Sequence, residues 1–227
     1  MAARHISYHE ARALMQPGDV IAFGGSSAFS KIIKLVTFSN VSHVGIILKT
    51  QIKDDNNGLF FNQIIESTGK DGVSVSRFSK VLDDYDGEVW WLPLSDHIRH
   101  SEFDLTAFFD FLYNQAESDV DYDLSQALTS AVDVVEKLMF GQAELGHNQE
   151  DFSKFFCSEL VAAGLEKSQA VDTINASEVT PIDLCRWNIY QNNYYILKGD
   201  RKKTISRFNS TQPKAWNKQR DNATEVI

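Results

Sequence analysis

The sequence has few of the features that mark secreted or membrane-spanning proteins. Only two of its 227 residues are cysteine, which excludes a disulfide framework. No run approaches the roughly 18 apolar residues that a transmembrane helix needs. The first 16 residues carry charged side chains where a signal peptide would have an apolar core. We therefore expect a cytoplasmic protein with no transmembrane segment.

Metal and cofactor motifs are also missing. There is no Cys-x-x-Cys or His-Glu-x-x-His spacing, so the sequence predicts no zinc site. The acidic clusters at 83–86 and 117–121 lack the spacing of a calcium loop and are predicted to be solvated turns. The Gly-Gly-Ser-Ser stretch at 24–27 lacks the lysine of a phosphate-binding loop, and we interpret it as a turn and helix cap. We predict that the protein needs neither a metal nor a cofactor.

Charge is unevenly distributed along the chain. The net charge is -9, but residues 198–227 carry eight Lys or Arg against three Asp or Glu. The rest of the chain is strongly acidic, which argues against nucleic acid as the main partner. Hydrophobic residues make up 43% of the chain, which is typical of a globular domain. We expect one domain over residues 1–205 and a polar, basic, mobile tail over 206–227.

The order of apolar patterns predicts an α+β domain. Short apolar strands separated by polar turns come first and favour an antiparallel sheet, and helical patterns follow. A short helix opens the chain. The predicted strands are 19–23, 41–48, 60–66, 73–78, 88–94 and 194–198. The later predicted helices are 101–115, 124–140, 155–167 and one that begins after a cap at Thr180.

Cys157 is the strongest candidate for chemistry. It lies in the first turn of a predicted helix, where the positive end of the helix dipole favours thiolate over thiol. The alternative is structural, because Cys157 shares a helix face with Leu160 and Val161, and free cysteine is often a plain core residue. Cys185, within the fourth predicted helix, is expected to serve packing.

A nucleophilic cysteine needs a base, and His43 differs from the other five histidines. Those five lie in polar segments, whereas His43 begins an apolar strand. Alternation places Gly45 on the same face as His43, and the absent side chain leaves room for another group to approach. The alternative is a core histidine that is hydrogen-bonded to backbone.

Pairing of the strands suggests a third member. If 41–48 and 60–66 form a hairpin with Leu48 opposite Phe61, His43 lies opposite Glu66 and shares its face. Glu66 would then orient the imidazole and stabilise its charged form. A slip of one residue would remove this contact and leave Glu66 as a solvated carboxylate. The fallback orienting groups are Asn62 and Gln63.

These segments together resemble the NlpC-like papain-fold hydrolases, and in particular their permuted, YiiX-like branch. The similarity covers roughly residues 17–199. The histidine strand of the family resembles Ser-His-Val-Gly-Ile at 42–46, the strand before it resembles Gly-Asp-Val-Ile-Ala-Phe at 18–23, and the nucleophile helix resembles Phe-Cys-Ser-Glu-Leu-Val at 156–161. Intervening and following segments of the branch resemble Tyr122-Asp123 and Thr-Pro-Ile-Asp-Leu at 180–184. Histidine precedes cysteine in this chain, as the permuted branch requires.

The resemblance implies a circularly permuted papain-like fold and a thiol hydrolase. Carried over to this sequence, it implies Cys157 as nucleophile, His43 as base and Glu66 as the polar orienting residue. The candidate substrate-binding residues are Ser42, Tyr122 and Ser158. The expected substrate is a small peptide or acyl amide, including isopeptides and peptidoglycan-derived fragments.

Two other functions are compatible with the same residues. One is transfer or hydrolysis of ester or lipid acyl groups, as in the lecithin–retinol acyltransferase type. The other is a catalytically inactive binding module that keeps the fold for recognition. The sequence alone does not determine the oligomeric state.

Overall fold

Six of the seven strands that the structure describes lie within the first 92 residues. The computed structural model of the protein describes residues 2–55, 58–68, 72–101, 103–118 and 156–216. The strands are β1 (Ala2–His5), β2 (Val20–Gly25), β3 (His43–Lys53), β4 (Phe60–Thr68), β5 (Gly72–Arg77), β6 (Gly87–Leu92) and β7 (Asn193–Lys198). The helices are α1 (Tyr8–Ala11), α2 (Ala28–Val36), α3 (Phe78–Asp84), α4 (Asp96–Ser101), α5 (Leu105–Glu117), α6 (Phe156–Lys167) and α7 (Pro181–Arg186). None of these helices has the length and apolar character that a membrane span needs.

The strands form one seven-stranded sheet in the order β1-β7-β6-β2-β3-β4-β5. Every pairing is antiparallel except that of β1 with β7, which is parallel. Helices pack on this sheet, so the α+β class predicted from the sequence is confirmed. The central position of β2 and β3 matters most, because these strands place the candidate base.

Both faces of the sheet are covered, and the residues of β2 alternate between them. Val20 and Ala22 belong to a large core that includes helices α5, α6 and α7, whereas Ile21 and Phe23 belong to a smaller core with α1 and α3. All six residues of β2 are buried. A strand buried on both faces is rigid, and it therefore holds its neighbour β3 in a defined position.

The β3–β4 hairpin differs from the predicted register by two residues. Ile46 pairs with Ile65 and Ile47 with Ile64, so the pairing continued by one step places Gly45, not His43, opposite Glu66. Near the turn Phe61 pairs with Ile52 rather than Leu48, an offset of four residues, and two irregularities between Ile47 and Ile52 reduce this offset to two. A shift of two residues keeps each side chain on its face, whereas a shift of one would have reversed it. The expected opposition of His43 and Glu66 is therefore wrong, but their shared face is retained.

Several elements begin or end elsewhere than predicted. The chain opens with β1 before the short helix α1, because β1 pairs with β7 almost 190 residues later and no local pattern marks it. Helix α3 occupies part of the acidic segment that was predicted to be a turn. Asp104, not Ser101, caps α5 through its side chain, while Ser101 ends α4. The predicted helix 124–140 lies outside the described residues.

Packing of the chain continues beyond the expected domain end at residue 205. Phe208 is only 4% exposed and its ring packs against Tyr190 and Tyr194. Trp216 packs against Trp187, at a ring distance of 5.9 Å. Aromatic burial of this kind stabilises a segment that composition alone marks as polar. Residues 206–216 therefore belong to the folded domain, and the rest of the predicted tail lies outside the described residues.

Candidate active site

His43 lies at the first position of β3, beside the buried strand β2. It pairs with Phe23, and the two rings pack at a centroid distance of 5.3 Å. The imidazole exposes only 20% of its side-chain surface. A ring held between a rigid strand and an aromatic side chain has little rotamer freedom, so its two nitrogens have fixed partners.

Glu66 supplies the partner of one ring nitrogen. Its Oε2 lies 2.8 Å from Nε2 of His43, and its side chain is 11% exposed. The two residues are diagonal neighbours on one face of the β3–β4 hairpin, a spacing that long side chains can bridge. Gly45, opposite Glu66, has no side chain to block this diagonal contact. The predicted histidine–carboxylate pair is therefore present, by a different pairing from the expected one.

Cys157 provides the second side-chain partner of the His43 ring. It is the second residue of α6, and this helix packs across β3 and β4. The Cys157 side chain is hydrogen-bonded to the His43 imidazole, and Nε2 of that ring is taken by Glu66. Backbone N–H groups of Val44 and Ser158 also donate to the sulfur. Cys157, His43 and Glu66 therefore form a continuous series of side-chain contacts. In the sequence, Glu66 follows His43 by 23 residues and Cys157 follows it by 114.

The electrostatic interactions among Cys157, His43 and Glu66 favour a thiolate–imidazolium pair. Burial alone would raise the pKa of the Cys157 thiol, but the adjacent His43 and the two backbone N–H donors lower it below the ordinary value. Burial alone would lower the pKa of His43, but Cys157 and then Glu66 raise it to about 10. Both pKa shifts favour the state in which the sulfur carries negative charge and the ring carries a proton. This is the charge state of an activated cysteine nucleophile.

The structure describes two of the three predicted substrate-binding residues, Ser42 and Ser158. Ser42 is 2% exposed, accepts the Gly25 N–H at 3.1 Å and donates to the Phe23 carbonyl at 3.3 Å. Ser158 is fully buried and donates to the Val179 carbonyl at 2.5 Å. Both hydroxyls therefore hold protein segments in place, and neither is positioned to touch a ligand. Tyr122 lies outside the described residues.

Tyr85 is a component of this region that the sequence analysis missed. Its hydroxyl is hydrogen-bonded to Ser42, and its ring packs on that of Phe23 at a centroid distance of 4.8 Å. Burial raises the pKa of Tyr85, and the charges of Glu66 and Cys157 raise it further. Tyr85 therefore stays neutral and supports the strand that holds His43. Its position between acidic neighbours suggested a solvated turn, and only the aromatic character pointed elsewhere.

Cys185 serves as an internal reference for Cys157. It is fully buried in α7, and burial raises the pKa of its thiol well above the ordinary range. Among the residues that the structure describes, the charged groups that influence this thiol are Arg186 and Asp183, and neither is a histidine. The two cysteines of the chain therefore have opposite character: one is partly exposed and activated, and the other is inert packing.

Comparisons with known proteins give limited information. No family model matches the sequence, and no curated protein matches it. Among solved structures, the crystal structure of the metalloprotein yiiX from Escherichia coli O157:H7 is similar, with 16% sequence identity and a TM-score of 0.41 over 70% of this chain and 69% of that chain. Within the described ranges, no three His, Cys, Asp or Glu side chains are grouped so that they could hold a metal ion.

Proposed function

We propose that the protein is a cysteine hydrolase that cleaves an amide bond through a thioester on Cys157. The observation that supports this most directly is that His43 contacts both the Cys157 thiol and the Glu66 carboxylate, the latter at 2.8 Å, in surroundings that lower the pKa of the thiol. A histidine that touches both a thiol and a carboxylate has the geometry of a nucleophile, base and orienting group.

The proposed reaction has two halves. The Cys157 thiolate attacks the carbonyl carbon of the amide, a C–S bond forms, and the C–N bond breaks as His43 gives its proton to the leaving amine. A water molecule then attacks the thioester. His43 takes one proton from that water, the C–S bond breaks to restore the thiolate, and the acyl group leaves as a carboxylic acid that releases its proton to solvent.

The residues around the sulfur suit the charges that develop. Backbone N–H groups in the first turn of α6 have no partner within the helix, and they point toward the end where Cys157 lies. Such donors stabilise the oxyanion of a tetrahedral intermediate. Glu66 keeps the imidazolium oriented while it holds the proton. The oxyanion and the imidazolium that form in the reaction therefore each have a stabilising group in this site.

We also propose that the fold is a circularly permuted papain-like fold. The base lies on an early strand and the nucleophile on a later helix that packs on the same strand, which is the order expected of that fold. The preferred substrate class is a small peptide or acyl amide. A cytoplasmic location remains a prediction from the sequence.

The first experiment measures alkylation of each cysteine by iodoacetamide at neutral pH, followed by peptide mapping. We expect rapid labelling of Cys157 and little labelling of Cys185, because Cys157 is partly exposed and its thiol pKa is lowered, whereas Cys185 is buried and its thiol pKa is raised. In the His43→Ala variant, Cys157 loses the charge that stabilises its thiolate, and its labelling rate should fall by about tenfold or more. An acyl donor such as p-nitrophenyl acetate should leave an acetyl group on Cys157 in the native protein.

The controls separate reactivity from unfolding. The Cys185→Ser variant should retain the full labelling rate, and circular dichroism should show that His43→Ala is folded. Equal labelling of both cysteines in the folded protein, or an unchanged rate in His43→Ala, would rule out an activated Cys157 and with it the proposed hydrolase.

A further inference from the structure

A second cavity lies at the end of β3 that is farthest from His43. It has a volume of about 120 Å³, and its walls come from the α1 segment, the β3–β4 hairpin, the end of β5 and the start of α3. A single water needs only about 10–15 Å³, so this cavity admits a small organic group. His43 is the first residue of β3, whereas Asp54, which lines the cavity, directly follows the last. The cavity is therefore separate from the candidate active site.

Two arginines line this cavity, and one of them has no carboxylate partner. Arg77 is paired with Asp54 at 2.6 Å, and its guanidinium lies over the Phe61 ring, 4.0 Å from the ring centre. Arg12 donates to the Phe60 carbonyl at 3.3 Å and forms no ion pair with the carboxylates that the structure describes. Two guanidiniums and one carboxylate leave the cavity lining with one net positive charge.

Tyr8, which forms another wall, shows that the two guanidiniums act on the same point. Burial raises the pKa of its hydroxyl, and the nearby charges of Arg12 and Arg77 both oppose that rise. The hydroxyl is buried, and it has no hydrogen-bond acceptor within the described ranges. A buried donor without an acceptor costs free energy, which an anion held beside it would offset.

Two adjacent apolar side chains also line the cavity and remain open to solvent. Leu59 and Phe60 expose 53% and 54% of their surface. A ligand with an apolar part next to its charged group would cover both side chains and remove apolar surface from water. The lining therefore combines a cationic part with an apolar part.

We propose that this cavity binds a monocarboxylate, with its carboxylate on Arg12 and Arg77 and its apolar part on Leu59 and Phe60. The planar fork of a guanidinium matches a carboxylate, and one negative charge balances the net charge of the lining. A phosphate dianion would leave an excess negative charge beside Asp54. This binding site is additional to the proposed hydrolase site and does not depend on it.

The test titrates 3-phenylpropionate into the native protein and follows the Nε–H signals of Arg12 and Arg77 by ¹H–¹⁵N NMR. We expect saturable shifts with a Kd on the order of 1–10 mM, which is typical of a ligand of this size. The neutral isostere 3-phenylpropionamide should bind about tenfold more weakly, because it lacks the charge that strengthens the hydrogen bonds. Acetate keeps the carboxylate but lacks the apolar part, and it should also bind more weakly.

Arg12→Gln should weaken the binding of 3-phenylpropionate by about tenfold, the loss of roughly one charge-assisted hydrogen bond. The matched control is Arg201→Gln, which removes the same charge from an exposed turn outside the cavity lining and should leave the Kd unchanged. Circular dichroism checks that both variants are folded. Phe60→Ser alters an exposed side chain, and it should weaken binding of 3-phenylpropionate severalfold without affecting acetate.

Three results would each overturn the assignment: no saturable shift with 3-phenylpropionate, equal binding of the acid and its amide, or equal losses in Arg12→Gln and Arg201→Gln. A further ligand identifies the source of the carboxylate. N-acetyl-glycyl-phenylalanine carries the same two groups at the end of a peptide. Binding at least as tight as that of 3-phenylpropionate would indicate a peptide C-terminus, and weaker binding would indicate a small free acid.

Discussion

The charge state of His43 depends on two side chains that bracket its ring. Cys157 contributes the larger effect on its pKa and Glu66 the smaller, and together they outweigh the burial that would otherwise favour the neutral ring. The protonated form is therefore kept until the pH rises through about 10. Replacing either neighbour should lower the pKa of His43, because each stabilises the positive charge of the ring.

Glu66→Gln should lower the pKa of His43 while the protein stays folded. The amide can still accept a hydrogen bond from Nε2, but it carries no negative charge to stabilise the imidazolium. We expect the ¹⁵N shifts of the His43 ring to report loss of the proton at a lower pH than in the native protein. The Cys157 alkylation rate near about pH 6 should fall severalfold, because the weaker imidazolium stabilises less thiolate.

A second variant gives the matched comparison for that measurement. Glu88→Gln removes a carboxylate on the neighbouring strand β6 that pairs with Lys203 and does not contact His43. Its His43 titration should resemble that of the native protein. If the His43 titration were unchanged in Glu66→Gln, the contact between Glu66 and the ring would not be electrostatically important.

At the scale of elements, the site depends on where α6 begins. Ser158 donates its hydroxyl to the Val179 carbonyl, and the next residue, Thr180, caps α7. The capping box predicted from the sequence is confirmed: the Thr180 side chain accepts the Asp183 N–H, and the Asp183 carboxylate accepts the Thr180 N–H. The start of α6 is therefore tied to the start of α7.

Thr180→Ala should destabilise the protein by about 1 kcal/mol, the usual contribution of an N-cap side chain. Urea denaturation followed by tryptophan fluorescence measures this change. Thr180→Ser keeps a hydroxyl and should restore most of the lost stability. Because the cap lies behind α6 and does not touch Cys157, the alkylation rate of folded Thr180→Ala should equal that of the native protein. A stability equal to native would show that the capping hydrogen bonds contribute nothing net.

At the scale of the whole molecule, a buried ion pair joins the sheet to helix α4. Asp19 is fully buried just before β2 and is bonded to Arg99 of α4. Its carboxylate also accepts N–H groups from Gln16, Trp91 and Leu94, each at 2.9 Å. One side chain thus holds the start of β2, the end of β6 and helix α4 together.

Asp19→Asn should cost about 3 kcal/mol of folding free energy, because it leaves the largely buried Arg99 without its counter-charge. The free energy of unfolding in urea is the measurement. Asp96→Asn is the matched control, since Asp96 is an exposed carboxylate in the same helix and its replacement should change stability by less than about 0.5 kcal/mol. Equal effects of the two variants would mean that the buried pair has no special role.

The strands show which parts of the fold local sequence patterns can predict. Six strands of the sheet, β2 to β7, were predicted near their observed positions, because each has a run of apolar residues bounded by polar turns. β1 was missed because its four residues become a strand only through a distant partner. The register of β3 with β4 was wrong by two residues, because irregular pairing in a hairpin depends on how both strands twist against the core.

The sequence by itself determined the α+β class, the polar setting of most histidines and the unusual contexts of His43 and Cys157. These follow from local properties: apolar periodicity, helix starts and side-chain chemistry. Only the tertiary structure decided that the sulfur, the imidazole and the Glu66 carboxylate touch, and that Tyr85 supports them. These relations join residues far apart in the chain, and packing of α6 against β3 and β4 creates them.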